Sequence, residues 1–179
     1  KIKNPTIVSF AWGGCIAQQL AHDYPEAVRQ LILVSSVMKF GPNARHNCEL
    51  LTIYREKNEW AAYASLIYNT CFSKAWKTEN AEKDFQQMLL PILPKTQTPE
   101  GQRRQLTALQ AFDSTSWAKN IKVPTNILSP EEDLFATSAE SFALAKQMSC
   151  PCDVIKASAH AILDEKKSLI QQKLESLIA

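Results

Sequence analysis

Two side chains that can hold and transfer protons lie where the sequence predicts the ends of strands. Asp133 follows the apolar segment Val123–Ser129, and His160 follows the shorter segment Asp153–Lys156. A third strand end is followed by Ala11, whose methyl side chain can neither give nor accept a proton. Because ligands bind outside the carboxyl ends of strands in open parallel sheets, the three positions are expected to converge at one rim.

The segments that position these residues predict an α/β fold, with a parallel sheet flanked by helices. Short, continuous apolar runs are typical of strands that helices cover on both faces, and strands alternating with helices form βαβ units. Strands are predicted at Pro5–Phe10, Leu31–Val34, Val123–Ser129 and Asp153–Lys156, and the alternating helices at Cys15–Tyr24, Ser138–Met148 and Lys166–Ile178. Gly13 and Gly14 are expected to allow a sharp turn after the first strand.

From about Phe40 to Phe112 the pattern predicts helices only, and aromatic residues are dense. The helices are predicted at Cys48–Lys57, Trp60–Asn69, Ala81–Leu90 and Pro99–Phe112, with turns at Asn80 and Pro91–Pro94. Two interpretations of the aromatic residues are open. They form a small helical core, or some of them line an apolar substrate pocket.

The stretch VSFAWGGCIAQQLAHDYPE, Val8–Glu26, resembles the nucleophile elbow of the α/β-hydrolase-fold superfamily. The family pattern there is a strand, G-x-S-x-G-G, a helix and a segment of the type YPE-x-V-x-x-L-I-L. The stretch from Asp113 to Asp133 and the placement of His160 before the last helix also fit, in the family's order. The resemblance covers nearly the whole chain. It implies an incomplete hydrolase core at residues 1–38 and 115–179 and an inserted helical cap at 39–114.

The resemblance also implies a role for each strand-end position. In the family an elbow serine attacks a carbonyl carbon, a histidine takes its proton and a carboxylate orients that histidine. His160 and Asp133 match the histidine and the acid, and the backbone N–H of Trp12 matches an oxyanion donor. The nucleophile position holds Ala11, which has no oxygen, so this chain is expected to be inactive.

Three further positions depart from the family's small-residue pattern. Ser9 replaces the first glycine of the elbow, Ser129 a glycine before the acid loop, and Ala159 a glycine beside the histidine. These changes fit a natural loss of the nucleophile, whereas a deliberate substitution at Ala11 would be expected to change that residue alone. Both origins of Ala11 are open.

Other residues with reactive side chains have less distinctive positions. Ser9 and Cys15 are the alternative nucleophiles, but they also suit a small core residue and a buried thiol. His22 is expected on a solvent-facing helix position and His46 in a loop. The pair Glu131–Glu132 is expected to be solvated.

Composition excludes several classes of partner. The net charge is +2, with 20 basic and 18 acidic residues and no basic block, which argues against nucleic acid and anionic membranes as partners. No apolar run reaches the roughly 18 residues of a membrane span. The five cysteines have no framework spacing and are expected to be reduced thiols in a cytoplasmic protein, with a redox or metal pair at Cys150 and Cys152 as the alternative. No cofactor and no metal are predicted.

The start of the chain raises a separate expectation. The sequence begins with Lys1, and the family has further strands ahead of the elbow strand, so upstream residues are expected to be missing. The first strand would then be an exposed apolar edge. We expect an upstream segment or a partner chain to cover Thr6–Phe10.

Two functions follow from these observations. The first is a serine hydrolase of the α/β-hydrolase class that acts on a small ester, lactone or related acyl compound, present here without its nucleophile. The alternative is a pseudoenzyme that binds a small apolar ligand or a protein.

Overall fold

Four parallel strands form the centre of the molecule, in the order β1-β2-β3-β4. The structure is a computed structural model, and it describes residues 3–178; Lys1 lies outside this range. The strands are β1 (Thr6–Phe10), β2 (Gln30–Val34), β3 (Thr125–Pro130) and β4 (Cys152–Ile155). Helices flank this sheet, which confirms the predicted fold class, and β4 lies at an edge as its polar sequence indicated.

Strand β2 is buried on both faces because a helical layer covers each of them. Leu31 and Leu33 pack with residues of α1 (Trp12–Asp23) and α8 (Ser138–Met148). Ile32 and Val34 point to the other face and pack with α10 (Lys167–Ile178). All four side chains have no exposed surface, which explains why the sequence shows a continuous apolar run in place of an alternating pattern.

Six α-helices and no strand lie between β2 and β3 in the described chain. They are α2 (Pro42–Glu56), α3 (Trp60–Cys71), α4 (Lys74–Glu79), α5 (Glu82–Leu89), α6 (Leu93–Thr96) and α7 (Pro99–Ala111). The short helices α4 and α6 fall where the sequence predicted turns or no element. His46 is exposed on α2, so its assignment to a loop was wrong.

The aromatic residues of this segment form packed clusters. Phe72 stacks on Trp76 with ring centroids 4.0 Å apart, and Phe85 meets Phe72 edge to face at 5.1 Å. Tyr68 completes this cluster, 5.7 Å from Phe85. The aromatic residues therefore form a small helical core, which was the first of the two interpretations of the sequence.

The two ends of the α2–α7 segment are joined beside the sheet. The Ser114 N–H donates to the Met38 carbonyl at 2.9 Å, and the Ser114 hydroxyl donates to the side-chain oxygen of buried Gln18 at 2.8 Å. Lys39 and Asp113 form an ion pair at 2.7 Å. The segment therefore leaves and re-enters the sheet layer at one place.

The outer edge of the sheet on the β1 side has no neighbouring strand in the described chain. Val8 of β1 is 44% exposed, although a strand apolar on both faces is normally covered. None of the helices within residues 3–178 is both long enough and apolar enough to cross a membrane.

Candidate functional site

Ala11 occupies a strained turn between β1 and α1. Its backbone angles are φ 47° and ψ −114°, a combination that an L-residue with a Cβ rarely adopts. Its N–H donates to the Val34 carbonyl at 2.9 Å, and its own carbonyl accepts from the Gly14 N–H at 2.9 Å. The sharp turn that the sequence predicted is thus made by Ala11 itself.

The two glycines after the turn act differently from the prediction. Neither has a positive φ, and both lie inside α1, which begins at Trp12 and not at Cys15. A Cβ at Gly14 would lie 2.8 Å from the Cβ of Ser36 and still closer to its hydroxyl oxygen. Gly14 is therefore required by the close approach of α1 to the segment after β2.

Trp12 begins α1 directly after the turn. As the first residue of a helix, it has a backbone N–H without an acceptor inside that helix, and the helix dipole makes this end partly positive. Its indole ring lies 6.1 Å from the Phe40 ring, edge to face, against the α2–α7 segment. A ligand atom with negative charge would be stabilised at this end of α1.

Asp133 is buried in the loop after β3 and its carboxylate is held on several sides. It is 3% exposed. Its Oδ1 accepts from the backbone N–H groups of Phe135 at 2.7 Å and Ala136 at 2.9 Å. These bonds fix the direction in which the carboxylate faces the loop after β4.

His160 follows β4 and meets that carboxylate directly. Its Nδ1 lies 2.9 Å from Oδ2 and 3.0 Å from Oδ1 of Asp133. Because a carboxylate only accepts, Nδ1 carries the hydrogen, and Nε2 of the neutral ring is left as an acceptor. The imidazole packs against the rings of Phe10, at 5.1 Å, and Phe135, at 4.8 Å.

Of the three predicted strand-end positions, the structure brings Asp133 and His160 into direct contact, and Ala11 follows Phe10, whose ring packs against His160. The side chain at the tip of the turn is the one member of this group without a polar atom. The arrangement has a fixed carboxylate–imidazole pair and a helix amino end, but no nucleophilic oxygen at residue 11.

Glu131 is exposed and Glu132 is half-buried, in keeping with the predicted solvated charges, and each carboxylate also has a partner within the chain. The Glu131 carboxylate pairs with Lys156 and accepts from the Ala157 N–H at 3.1 Å. The Glu132 carboxylate accepts from the Lys74 N–H of α4 at 2.9 Å. Both side chains connect the loop that carries Asp133 to other parts of the site.

One polar residue near the site was missed by the sequence interpretation. Glu165, in α9 (Ile162–Glu165), accepts hydrogen bonds from the N–H and hydroxyl of Ser73 and from the Ala159 N–H. Its position five residues after His160 was only a weak indication of a role at the site, because Ser73, which supplies two of its three hydrogen bonds, lies in a distant helical segment.

Two cavities adjoin these residues. An apolar cavity of about 480 Å³ lies between the α2–α7 segment and the loop of His160. Its walls include Phe10, Phe72, Phe85, Leu89 and His160. A smaller cleft of about 170 Å³, lined in part by Trp12 and by several glutamine side chains, lies between α2 and α7.

The alternative nucleophiles are poorly placed. Ser9 is buried under the first turn of α1, where its hydroxyl has no hydrogen-bond partner in the described chain. Cys15 is 3% exposed, and burial raises the pKa of its thiol to about 12, which disfavours the reactive thiolate. Cys150 and Cys152 are free, like the other three cysteines, and burial raises the pKa of both thiols to about 11.

The strand order, the strained residue after β1 and the acid–histidine pair after β3 and β4 are those of the α/β-hydrolase fold. The chain has this fold. No family model matches the chain.

Comparison with known proteins gives relatives of low sequence identity and high structural similarity. The chain is 25% identical over 142 residues to the protein named "Putative carbamate hydrolase RutD" from Rhizobium rhizogenes, covering 78% of this chain. It superimposes on MGS-M2, an α/β hydrolase from a Medee basin deep-sea metagenome library, with a TM-score of 0.86 at 21% identity, over 99% of this chain and 64% of the other. The enol-lactonase from Burkholderia xenovorans gives a TM-score of 0.81 at 19% identity, over 99% and 67%.

The chain spans 53% of RutD and about two thirds of these solved structures. At these identities the solved structures show the fold alone.

Proposed function

We propose that this is the site of a serine hydrolase of the α/β-hydrolase class that acts on a small ester, lactone or related acyl compound, with its nucleophile removed at Ala11. The observation that carries the proposal is the hydrogen bond of 2.9 Å between His160 Nδ1 and buried Asp133, beside a strained turn residue. It leaves Nε2 free to accept a proton.

In the proposed chemistry, a hydroxyl at residue 11 attacks the carbonyl carbon of the substrate. His160 Nε2 takes the hydroxyl proton, and Asp133 stabilises the imidazolium that forms. The carbonyl oxygen becomes an oxyanion that accepts from the Trp12 N–H. The proton then passes from His160 to the leaving oxygen, and water releases the acyl group by the same steps.

The apolar cavity beside His160 favours a substrate that carries an apolar group. Its walls are mainly aromatic and aliphatic side chains, and its volume of about 480 Å³ lies within the range of small-molecule sites. The names of the relatives refer to a carbamate hydrolase and an enol-lactonase. Both names describe cleavage at a carbonyl carbon, which supports the acyl class of substrate.

The second candidate is a natural pseudoenzyme that binds a small ligand or a protein. Ala11 favours this candidate, because a methyl group cannot attack a carbonyl carbon while the cavity and the Asp133–His160 pair are still present. In this case the unaltered chain binds an apolar acyl compound and releases it unchanged.

A fluorophosphonate probe tests the proposal. In the full-length protein, the Ala11→Ser variant is expected to be labelled: its oxygen attacks phosphorus, fluoride leaves and the proton passes to His160. The unaltered protein is the matched control and should stay unlabelled. Labelling that survives a second change, His160→Ala, at an equal rate would contradict the role given to His160.

A further inference from the structure

We propose that Glu165 is a positioning residue that couples the placement of His160 to the docking of α4. The effect of Glu165 on catalysis rests on the proposed function. The positioning of His160 by Glu165 rests only on contacts within the chain. The Glu165 carboxylate lies between Ser73, which precedes α4, and Ala159, which precedes His160.

Of the two peptide N–H groups that flank His160, one donates to the segment between α3 and α4 and the other donates to Glu165, which also binds that segment. The Ala159 N–H donates to Glu165 Oε1 at 3.1 Å, and the same oxygen accepts from the Ser73 N–H at 3.2 Å. The Ala161 N–H donates to the Cys71 carbonyl at 2.7 Å. Residues 71–73 therefore fix the chain on both sides of His160. They bind the Ala161 N–H directly and the Ala159 N–H through Glu165.

The burial of these groups makes the carboxylate necessary. Ser73 has no exposed surface, and Ala159 is 1% exposed, so their polar groups cannot turn to solvent. The Ser73 hydroxyl donates to Glu165 Oε2. Removing the carboxylate would leave three buried donors without an acceptor, a change that forces the loop to move.

The same turn is connected to the other member of the pair. The Lys74 N–H donates to Glu132, the residue before Asp133, through an exposed bond of 2.9 Å. Cys71 and Phe72 of the turn also line the apolar cavity. A change in the docking of α4 therefore reaches both His160 and the cavity wall.

The His160 Nδ1–H proton resonance in NMR spectra measures this positioning without any turnover. Its bond to buried Asp133 shields it from exchange with water, whereas the corresponding bond of His22 to Asp23 is exposed. Its assignment comes from its loss in His160→Gln. In the full-length protein we expect Glu165→Ala to broaden the resonance or to speed its exchange at least tenfold.

Two variants serve as controls. Glu165→Gln keeps an oxygen that accepts from Ser73 and Ala159, so the resonance should be retained. Glu175→Ala removes an exposed carboxylate of α10 that bonds to Gln171 and should change nothing. If Glu165→Ala does not fold, Ser73→Ala takes its place, and partial acceleration of exchange is expected.

An unchanged resonance in folded Glu165→Ala, or in folded Ser73→Ala when the first does not fold, would overturn the proposal. A loss of the resonance in Glu175→Ala would also overturn it, since the effect would then not be specific. The proposed function is decided separately in the Ala11→Ser background. There Glu165→Ala should lower kcat with little change in KM, and absence of turnover in Ala11→Ser alone counts against the function, not against the positioning.

Discussion

At the scale of single residues, the site combines a strained backbone at position 11 with an alanine side chain that has no oxygen. A positive φ of 47° at Ala11 costs free energy of folding, on the order of 1–3 kcal/mol for such conformations. In a hydrolase that strain exposes a nucleophilic oxygen. Here the same position holds a methyl group, and the proposal that this chain lacks its nucleophile rests on that difference.

Replacing Ala11 by glycine is expected to stabilise the protein. Glycine adopts positive φ without a steric penalty, so Ala11→Gly should raise the free energy of unfolding by about 1 kcal/mol. Urea denaturation measures the change. The control is Ala143→Gly at an exposed position inside α8, which should lower it by about 1 kcal/mol. If Ala11→Gly and Ala143→Gly lower the free energy of unfolding equally, the backbone at Ala11 is not strained.

Much of the site was predictable from residue types and their placement after strands. Asp133 and His160 were found because the ends of parallel strands meet at one rim, a rule that depends on topology alone. The prediction that Gly13 and Gly14 make the turn was wrong, because the sequence of a turn does not reveal which residue takes the positive φ. Here Ala11 takes it, and the Ala11 N–H donates to the Val34 carbonyl. Glu165 was missed because Ser73, its main hydrogen-bond partner, is far from it in the sequence, so no local pattern connects the two residues.

At the scale of elements, the α2–α7 segment is joined to the sheet layer at its two ends. The Lys39 ammonium, and then the hydroxyl and the N–H of Thr115, hold the pKa of Asp113 down to about 2. These contacts and the bond from Ser114 to Met38 lie where the sequence resemblance placed the limits of a cap, at 38/39 and 114/115. We propose that this segment is the cap that covers the site.

The ion pair gives a pH dependence with a defined sign. The pKa of Asp113 is lower in the folded protein than its ordinary value of 3.8, so its contribution to stability is complete above about pH 4 and disappears as the pH falls to about 2. Asp113→Asn should therefore lose less stability between pH 4 and pH 2 than the unaltered protein.

Urea denaturation at several pH values measures this difference. Asp84→Asn, at an exposed position of α5, is the control and should follow the unaltered protein. The same slope in Asp113→Asn and the unaltered protein would show that the pair is not formed in solution.

Most of the longer helices were predictable and the shortest were not, although α2, the longest, begins at Pro42, six residues before its predicted start. The apolar periodicity of α3, α7 and α8 located them within a few residues of their observed bounds. Helix α4 has six residues and depends on the Ser73 hydroxyl, which accepts from the Trp76 N–H, and on aromatic packing from elsewhere. Such a helix has too few turns for a periodic pattern, so only tertiary contacts define it.

At the scale of the whole molecule, the exposed edge of β1 is the feature that a monomeric chain would not be expected to tolerate. An unpaired apolar strand is a template for pairing with another strand. We propose that an upstream segment or a partner chain covers Thr6–Phe10 in the working protein. The exposed side chain of Val8 supports this proposal.

The chain of 179 residues on its own should therefore associate with itself. Val8→Lys places a charge at the edge and is expected to lower the self-association measured by sedimentation. Gln171→Lys, an exposed change on α10, is the control for added charge. A full-length protein that is monomeric and whose β1 amides exchange rapidly with solvent would contradict the proposed covering of this strand.

Under the proposed function, one missing oxygen at residue 11 separates this site from that of a working hydrolase. The most direct measurement is the rate at which the full-length Ala11→Ser variant hydrolyses p-nitrophenyl butyrate, compared with the unaltered protein. We predict turnover that the unaltered protein lacks and that His160→Ala abolishes in the same background. A folded Ala11→Ser variant with no turnover above the unaltered protein would contradict the account.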